Sequence, residues 1–370
     1  MIPARTGHPF WMYEEMMATP AALDMVLNPD DAAREQRAAV GARIATARRM
    51  YLTGCGTAHH AAMVGAAFLR DFTNGQVDAR AVEAFELAHY ERPGAGPEDV
   101  LLVLSQSGKP TATNDALARA RADGAFCVAI TGDRESLAAR NAQVVLDTTL
   151  PEIRSFAYTI SYSLMLAILA DLSLCTLAAL AGDAGAAVLL EAQVRGLVQQ
   201  HREALALDEQ VKALGERLAG SSRFIVAGAG ANYATALEAS LKMQETNYSA
   251  TFGMEMEEVL HGPVAALGDA TLVVIAPPGA GRTRAFDVLR AARILGSETV
   301  ALGENGDGEL EQAADVFLPL PSCPEALSAA PYHVPLHLLS YWLAVAKGRN
   351  PDLMRREEAT YLEARRSYTL

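Results

Sequence analysis

A short pattern that occurs twice constrains this 370-residue chain more than anything else in it. Each copy is a strand-like apolar run, a glycine turn and a helix that starts at once. In the first, residues 49–53 lead through Gly54-Cys55-Gly56-Thr57-Ala58 into a helix predicted over 59–72. In the second, residues 223–227 lead through Gly228-Ala229-Gly230-Ala231-Asn232 into a helix predicted over 234–246. Recurrence at about half the chain length reads as an internal duplication. Further strands are expected over 78–83, 100–104, 126–131 and 144–148, then over 271–276, 298–301 and 315–318. Strands alternating with helices imply parallel sheets covered on both faces, an α/β fold.

The expected organisation is a helical lead-in over 1–48, a first α/β domain over 49–182, a helical linker over 183–220, a second α/β domain over 221–347 and a tail over 348–370. In the lead-in a short helix ends in a turn at Thr19-Pro20, and a second helix follows near 31–48. A long helix is expected over 155–174 and another over 334–347. The apolar stretch near 160–180 holds Asp171, Thr176 and several hydroxyls, which marks a buried core helix and not a membrane span. A net charge of −13 argues against nucleic acid as a partner, because a phosphate backbone needs a basic surface. It leaves room for a small phosphorylated ligand held by a few donors. Four scattered cysteines without metal-type pairing, and no signal-peptide pattern, fit a soluble protein of the reducing cytoplasm with no metal site.

Three stretches carry polar groups suited to chemistry. Leu104-Ser105-Gln106-Ser107-Gly108-Lys109-Pro110-Thr111 joins an apolar strand to a helix. Helix N-termini present unpaired N–H groups and a partial positive charge, so hydroxyls and a glycine here suit a phosphate; the same serines also suit ordinary helix caps. Gly228-Ala-Gly lacks the third glycine and the acidic residue of a dinucleotide fingerprint. Glu238, Lys242 and Glu245 fall on one helix face, which is either a solvated charge-paired face or, given the small and apolar residues around them, a buried group able to move a proton. His261, followed by Gly262-Pro263, is held at a helix end, as a cap or as an acid–base group. His59 and His60 sit at the first glycine turn, and His333 and His337 fit a partly apolar helix face.

Four segments, taken together, resemble the sugar isomerase (SIS) family: Gly54-Cys-Gly-Thr57, Ser105-Gln-Ser-Gly108, Ala236-Leu-Glu-Ala-Ser-Leu-Lys242-Met-Gln-Glu245 and Glu258-Val-Leu-His261-Gly-Pro263. The chain is similar over essentially its whole length to the isomerase half of glucosamine–fructose-6-phosphate aminotransferase and to stand-alone deaminases and deglycases. The resemblance implies two tandem SIS domains, each a flavodoxin-like α-β-α sandwich, in a homodimer whose active site is shared between subunits. It implies that Gly56, Thr57, Ser105, Gln106, Ser107 and Thr111 hold a sugar phosphate. Glu245 would shuttle a proton between C1 and C2 beside Lys242, and His261 from the neighbouring subunit would open the ring. No cofactor is implied. Ser155 and Arg366 match family binding positions more loosely. The sequence departs from the pattern at Ala58 for a serine, at Lys109-Pro110 for Glu-Thr, and at Arg366-Ser367 for Lys-Ser. Arginine cannot form a Schiff base with a ketose, which turns the expectation from amination of fructose 6-phosphate towards reactions whose substrate already carries nitrogen. A glutaminase domain is not in the sequence. The expected function is therefore glucosamine-6-phosphate deaminase-like isomerisation with loss of the amine. Alternatives are a fructosamine-6-phosphate deglycase, a glutaminase-less aminotransferase, or a non-catalytic sugar-phosphate sensor.

Overall fold

The computed structural model describes residues 5–148, 153–180 and 184–369. The parts of the expected lead-in, first domain, linker and tail at 1–4, 149–152, 181–183 and 370 lie outside the described residues. The chain divides into two compact units, residues 21–152, 160–197 and 355–370 in one and residues 1–20, 153–159 and 198–354 in the other. Each is built on a five-stranded parallel sheet, in agreement with the expected α/β flavodoxin-like fold.

After α1 (Trp11–Leu27), the first sheet unit runs α2 (Asp31–Ala45), β1 (Arg49–Thr53), α3 (Thr57–Phe72), β2 (Ala79–Ala81), α4 (Ala84–His89), β3 (Asp99–Leu104), α5 (Thr111–Ala122), β4 (Phe126–Thr131), α6 (Leu137–Asn141), β5 (Val144–Asp147) and α7 (Ile160–Ala179). Its strand order is β2-β1-β3-β4-β5. Every residue of β3 is buried, as a run of Val and Leu with helices on both faces requires. Helix α7 is the one helix among the described residues long and apolar enough to cross a membrane, yet it is buried against α2 and α3. On it Asp171 receives an ion pair from Arg37 of α2 at 2.8 Å, with both side chains almost fully covered.

Helices α8 (Ala184–Leu205) and α9 (Asp208–Arg217) lead to the second sheet unit: β6 (Arg223–Gly228), α10 (Ala231–Thr246), β7 (Ala250–Glu255), β8 (Thr271–Ile275), α11 (Arg282–Ile294), β9 (Thr299–Glu304), α12 (Gly308–Ala313), β10 (Val316–Leu320) and α13 (Ala329–Ala346), with α14 (Ala359–Arg366) in the tail. The order β7-β6-β8-β9-β10 repeats that of the first sheet. The duplication extends to dihedral angles. Gly56 caps α3 at φ 54°, ψ −125° and Gly230 caps α10 at φ 56°, ψ −131°, a region open to glycine alone at little cost. Helix α10 packs on α13 as α3 packs on α7.

The structure corrects four local expectations. Helix α1 runs through Thr19-Pro20 without a turn, because the apolar residues on either side, Met16, Leu23 and Leu27, all have a core to enter. The long helix starts at Ile160, five residues later than expected, since 155–159 are held in irregular backbone by side-chain bonds. Strand β7 lies where no strand is expected; five of its six residues are exposed or partly so, which blurs the apolar signal of an edge strand. His261 follows a single 3-10 turn over Glu258–Leu260, so it does not terminate an α-helix.

Candidate active site

In the β1–β5 unit the loop after β3 is braced from three sides. Gly108 takes φ 61°, and its N–H donates to the carbonyl and to Oγ of Ser105 at 3.2 and 3.0 Å. A side chain at Gly108 would collide with Ser136, so glycine is required twice over. From the end of β4, the Gly132 N–H donates to the Gln106 carbonyl at 3.0 Å. Asn114, buried in the first turn of α5, donates through Nδ2 to the carbonyls of Gly108 and Pro110. Helix α5 then begins behind Pro110 with no side-chain cap on its first N–H groups. Ser105 is buried, Gln106 and Ser107 partly so, and Thr111 is exposed at the first helical position. In the same unit exposed Gly56 and partly buried Thr57 open α3 at the first glycine turn. Preset N–H donors, hydroxyls and a helix N-terminus can hold an anion without reorganising. Asn114 is the member that sequence reasoning missed; an asparagine inside a helix start was the available signal.

Arg366 also belongs to this unit, exposed at the end of α14. Ser155 lies in the other unit, buried, with its N–H donating to Glu15 Oε1 at 3.1 Å and its Oγ accepting from the Ala157 N–H. Burial pushes that Glu15 carboxyl up to about 7, against the lowering pull of the Arg154 and Ser155 N–H groups.

The β6–β10 unit carries the charged helix. Lys242 is fully buried, with its side chain 1% exposed, and its Nζ donates to Glu245 Oε2 at 2.5 Å and lies 3.5 Å from Glu238 Oε1. Glu238 is 0% exposed and Glu245 16%. The buried alternative for this helix face, not the solvated one, is what the fold adopts. Burial opposes the charge on Lys242, but the two carboxylates overcome that and hold its ammonium above the ordinary lysine value. From α13, His337 brings Nε2 to 3.6 Å from Glu238 Oε1. Behind it the His333 ring lies edge-on to His337 with centroids 4.9 Å apart, and the ring of His201 of α8 is tilted against His333 at 5.8 Å. Burial drives all three imidazoles below their usual value, His201 to about 3. The spacing of His333 and His337 on one helix face was visible in the sequence; His201 left no signal.

His261 is in the same unit but in a different setting. Its side chain is 65% exposed, with Nε2 at 2.9 Å from Glu257 Oε1. Glu257 also pairs with Arg284, and the His261 hydrogen bond is the first cause holding its carboxyl below the usual range. Glu258 beside it is exposed. The structure thus brings Lys242 and Glu245 into contact and leaves His261 open on a turn.

Two flavodoxin-type sheets, with a braced hydroxyl loop in one unit and a buried acid–lysine cluster in the other, define a duplicated α/β protein. The family model for the SIS domain matches residues 43–174 and 217–347, and the chain belongs to that family. It is similar to glutamine–fructose-6-phosphate aminotransferase (isomerizing) of Pyrococcus horikoshii, 35% identical over 83% of this chain and 50% of that protein. The same enzyme of Thermococcus kodakarensis is 30% identical over 95% and 58%. The chain therefore spans about half the length of these curated relatives. In fold it is similar to the C-terminal domain of the Francisella tularensis glucosamine–fructose-6-phosphate aminotransferase, with TM-score 0.84 and 20% identity over 94% of this chain and 99% of that one. A glucosamine-6-phosphate deaminase from Thermotoga maritima shares the fold with TM-score 0.71 and 17% identity over 93% and 97%.

Proposed function

We propose that this chain is a phosphosugar-processing enzyme that couples aldose–ketose isomerisation to loss of the amine from an amino-sugar phosphate. The observation that carries the reading is Lys242, buried between two carboxylates of which only Glu245 reaches a partly open surface. An ionised carboxylate fixed by a buried ammonium is a base aimed from a rigid helix. In this reading the phosphate is held by the Ser105–Ser107 hydroxyls, Gln106, Thr57, Thr111 and the N–H groups at Gly56 and α5. His261 moves the proton that opens the ring, leaving an aldehyde at C1 and the amine on C2. Glu245 removes the C2 proton and returns it to C1 while O1 gains the proton that the nitrogen gives up; the resulting C2 imine takes up one water and releases ammonia and the ketose phosphate.

The test is incubation with glucosamine 6-phosphate, followed by assay of ammonia and fructose 6-phosphate. Turnover that Glu245→Gln abolishes while ligand binding persists supports the reading. Binding without turnover in the unaltered protein supports a sensor instead. The identity to aminotransferases favours one second reading, amination of fructose 6-phosphate by free ammonia, and the same assay run in reverse measures it. Arg366 in place of a lysine weighs against that direction. Release of an amino acid from a phosphorylated Amadori compound, with no turnover of glucosamine 6-phosphate, would identify a deglycase. The exposure of His261 fits a site completed by a second copy of the chain. If so, mixing inactive Glu245→Gln and His261→Ala protomers restores about a quarter of wild-type activity, because half the dimers are mixed and each has one intact site.

A further inference from the structure

Helix α1 and the turn that follows α13 each put a carboxylate on the irregular segment 153–159, and all three stretches belong to the same compact unit. Glu15 Oε1 accepts from the N–H groups of Arg154 and Ser155, at 2.6 and 3.1 Å. Asp352, 2% exposed, takes the Trp11 and Met12 N–H groups on Oδ2 and Oδ1 at 2.9 and 2.8 Å, and it accepts from the Ser155 hydroxyl as well. Its carbonyl accepts from the Phe156 N–H at 3.0 Å. The segment is thus clasped by two acids. They are not equivalent. Both oxygens of the Asp352 carboxyl have donors, whereas Oε2 of Glu15 is buried with no hydrogen-bond partner among the described residues. A carboxylate with one oxygen buried and undonated is costly to ionise, and a proton removes much of that cost. We propose that Glu15 is a proton-operated clasp on the segment 153–159, closed when its carboxyl is protonated and loosened when the proton leaves.

Among the described residues the charged groups that act on Glu15 come from both stretches that meet it. Asp352 opposes its ionisation, and Arg154, whose guanidinium lies 4.3 Å from the Trp11 ring centroid, favours it. Glu14, beside it on α1, pairs with Arg5, which also pulls on Asp352. Burial outweighs the two donated N–H bonds and Arg154, so the Glu15 proton leaves at about 7, against an ordinary value of 4.5. The value is raised by folding, which fixes the sign of the effect. The clasp contributes its full stability below about 4.5, loses it as the pH rises to about 7 and changes no further above that. Parting the segment from α1 lets water reach Oε2, so local opening becomes easier across this window. Ser155, a candidate binding residue, rides on the clasped segment.

Hydrogen–deuterium exchange of the amides in 153–159, normalised to the intrinsic exchange rate at each pH, reads the opening directly. From about pH 5 to about pH 8 their protection falls by more than about tenfold in the unaltered protein. Glu15→Gln keeps an acceptor for the Arg154 and Ser155 N–H groups and carries no charge at any pH, so its protection changes far less over the same range. In the carbon-13-labelled protein the Glu15 carboxyl signal titrates with a midpoint at about 7. Parallel pH dependences in the two proteins overturn the proposal, and so does a Glu15 midpoint below about 5.5. A merely structural clasp gives the first of these results, with Glu15→Gln lowering protection equally at every pH. The carboxyl titration uses the unaltered protein and decides the matter if Glu15→Gln does not fold. No readout involves a substrate, so the clasp stands or falls separately from the proposed reaction.

Discussion

The two sheet units share strand order, capping-glycine geometry and helix packing, yet they use equivalent positions for opposite ends. Aligned on their capping glycines, α10 places Glu238 and Lys242 where α3 places Val64 and Phe68, and all four side chains are buried. Aligned on their ladders, where Thr53 pairs with Val103 and Ala227 with Val274, the Ser105-Gln106-Ser107-Gly108 loop corresponds to Ala276-Pro277-Pro278-Gly279. Both loops keep the left-handed glycine. One keeps hydroxyls and a neutral helix; the other keeps a charged helix and an apolar loop. Since α3 shows that apolar residues satisfy the helix site, the buried charges of α10 are not there for stability. Under the proposed function the difference is a division of labour, with one copy seating the sugar phosphate and the other holding the proton acceptor.

Four experiments break or sharpen that contrast, in order of expected effect. Glu245→Gln lowers turnover of the amino-sugar phosphate by about 10³-fold or more, whereas Asp71→Asn at the matching site of α3 leaves it unchanged; steady-state kinetics on both variants checks this. Lys242→Met removes the ammonium between buried Glu238 and partly buried Glu245 and destabilises the fold by about 3–5 kcal/mol in urea unfolding. Installing α3's own pair in α10, Glu238→Val with Lys242→Phe, restores stability to wild-type level or above while abolishing turnover. If that pair is as unstable as Lys242→Met, the charges are structural and the contrast fails. Gly56→Ala and Gly230→Ala each cost about 1–3 kcal/mol of backbone strain, and only the first also weakens ligand binding in calorimetry. Ser105→Ala or Ser107→Ala weakens sugar-phosphate affinity by about tenfold, near 1.4 kcal/mol, and Ala276→Ser in the other copy changes nothing.

Much of this was legible in the residue order. Continuous apolar runs such as 100–104 and 271–276 specify buried parallel strands, because only a strand covered on both faces is apolar at every position. The glycine turns and the Glu238, Lys242, Glu245 spacing are local and periodic, so they survive in a linear reading. Strand β7 was not legible, since only one of its six residues is buried, and Pro20 misled because a proline's cost in a helix can be outweighed by apolar burial on both sides of it. The braces on the loop after β3 come from Asn114, Gly132 and Ser136, residues far enough apart that only the folded chain joins them.

The sequence by itself determined the duplicated α/β class, the polar loop after β3 and the shared face of three charges, all consequences of periodicity and turn chemistry within about ten residues. The tertiary structure alone decided that this face is buried rather than solvated, that His337 and His201 stand behind it, and that His261 is left open. Burial and long-range pairing depend on what a neighbouring helix brings, and α13 approaches α10 from almost a hundred residues away along the chain, as the Thr246–Ser340 bond with its separation of 94 records.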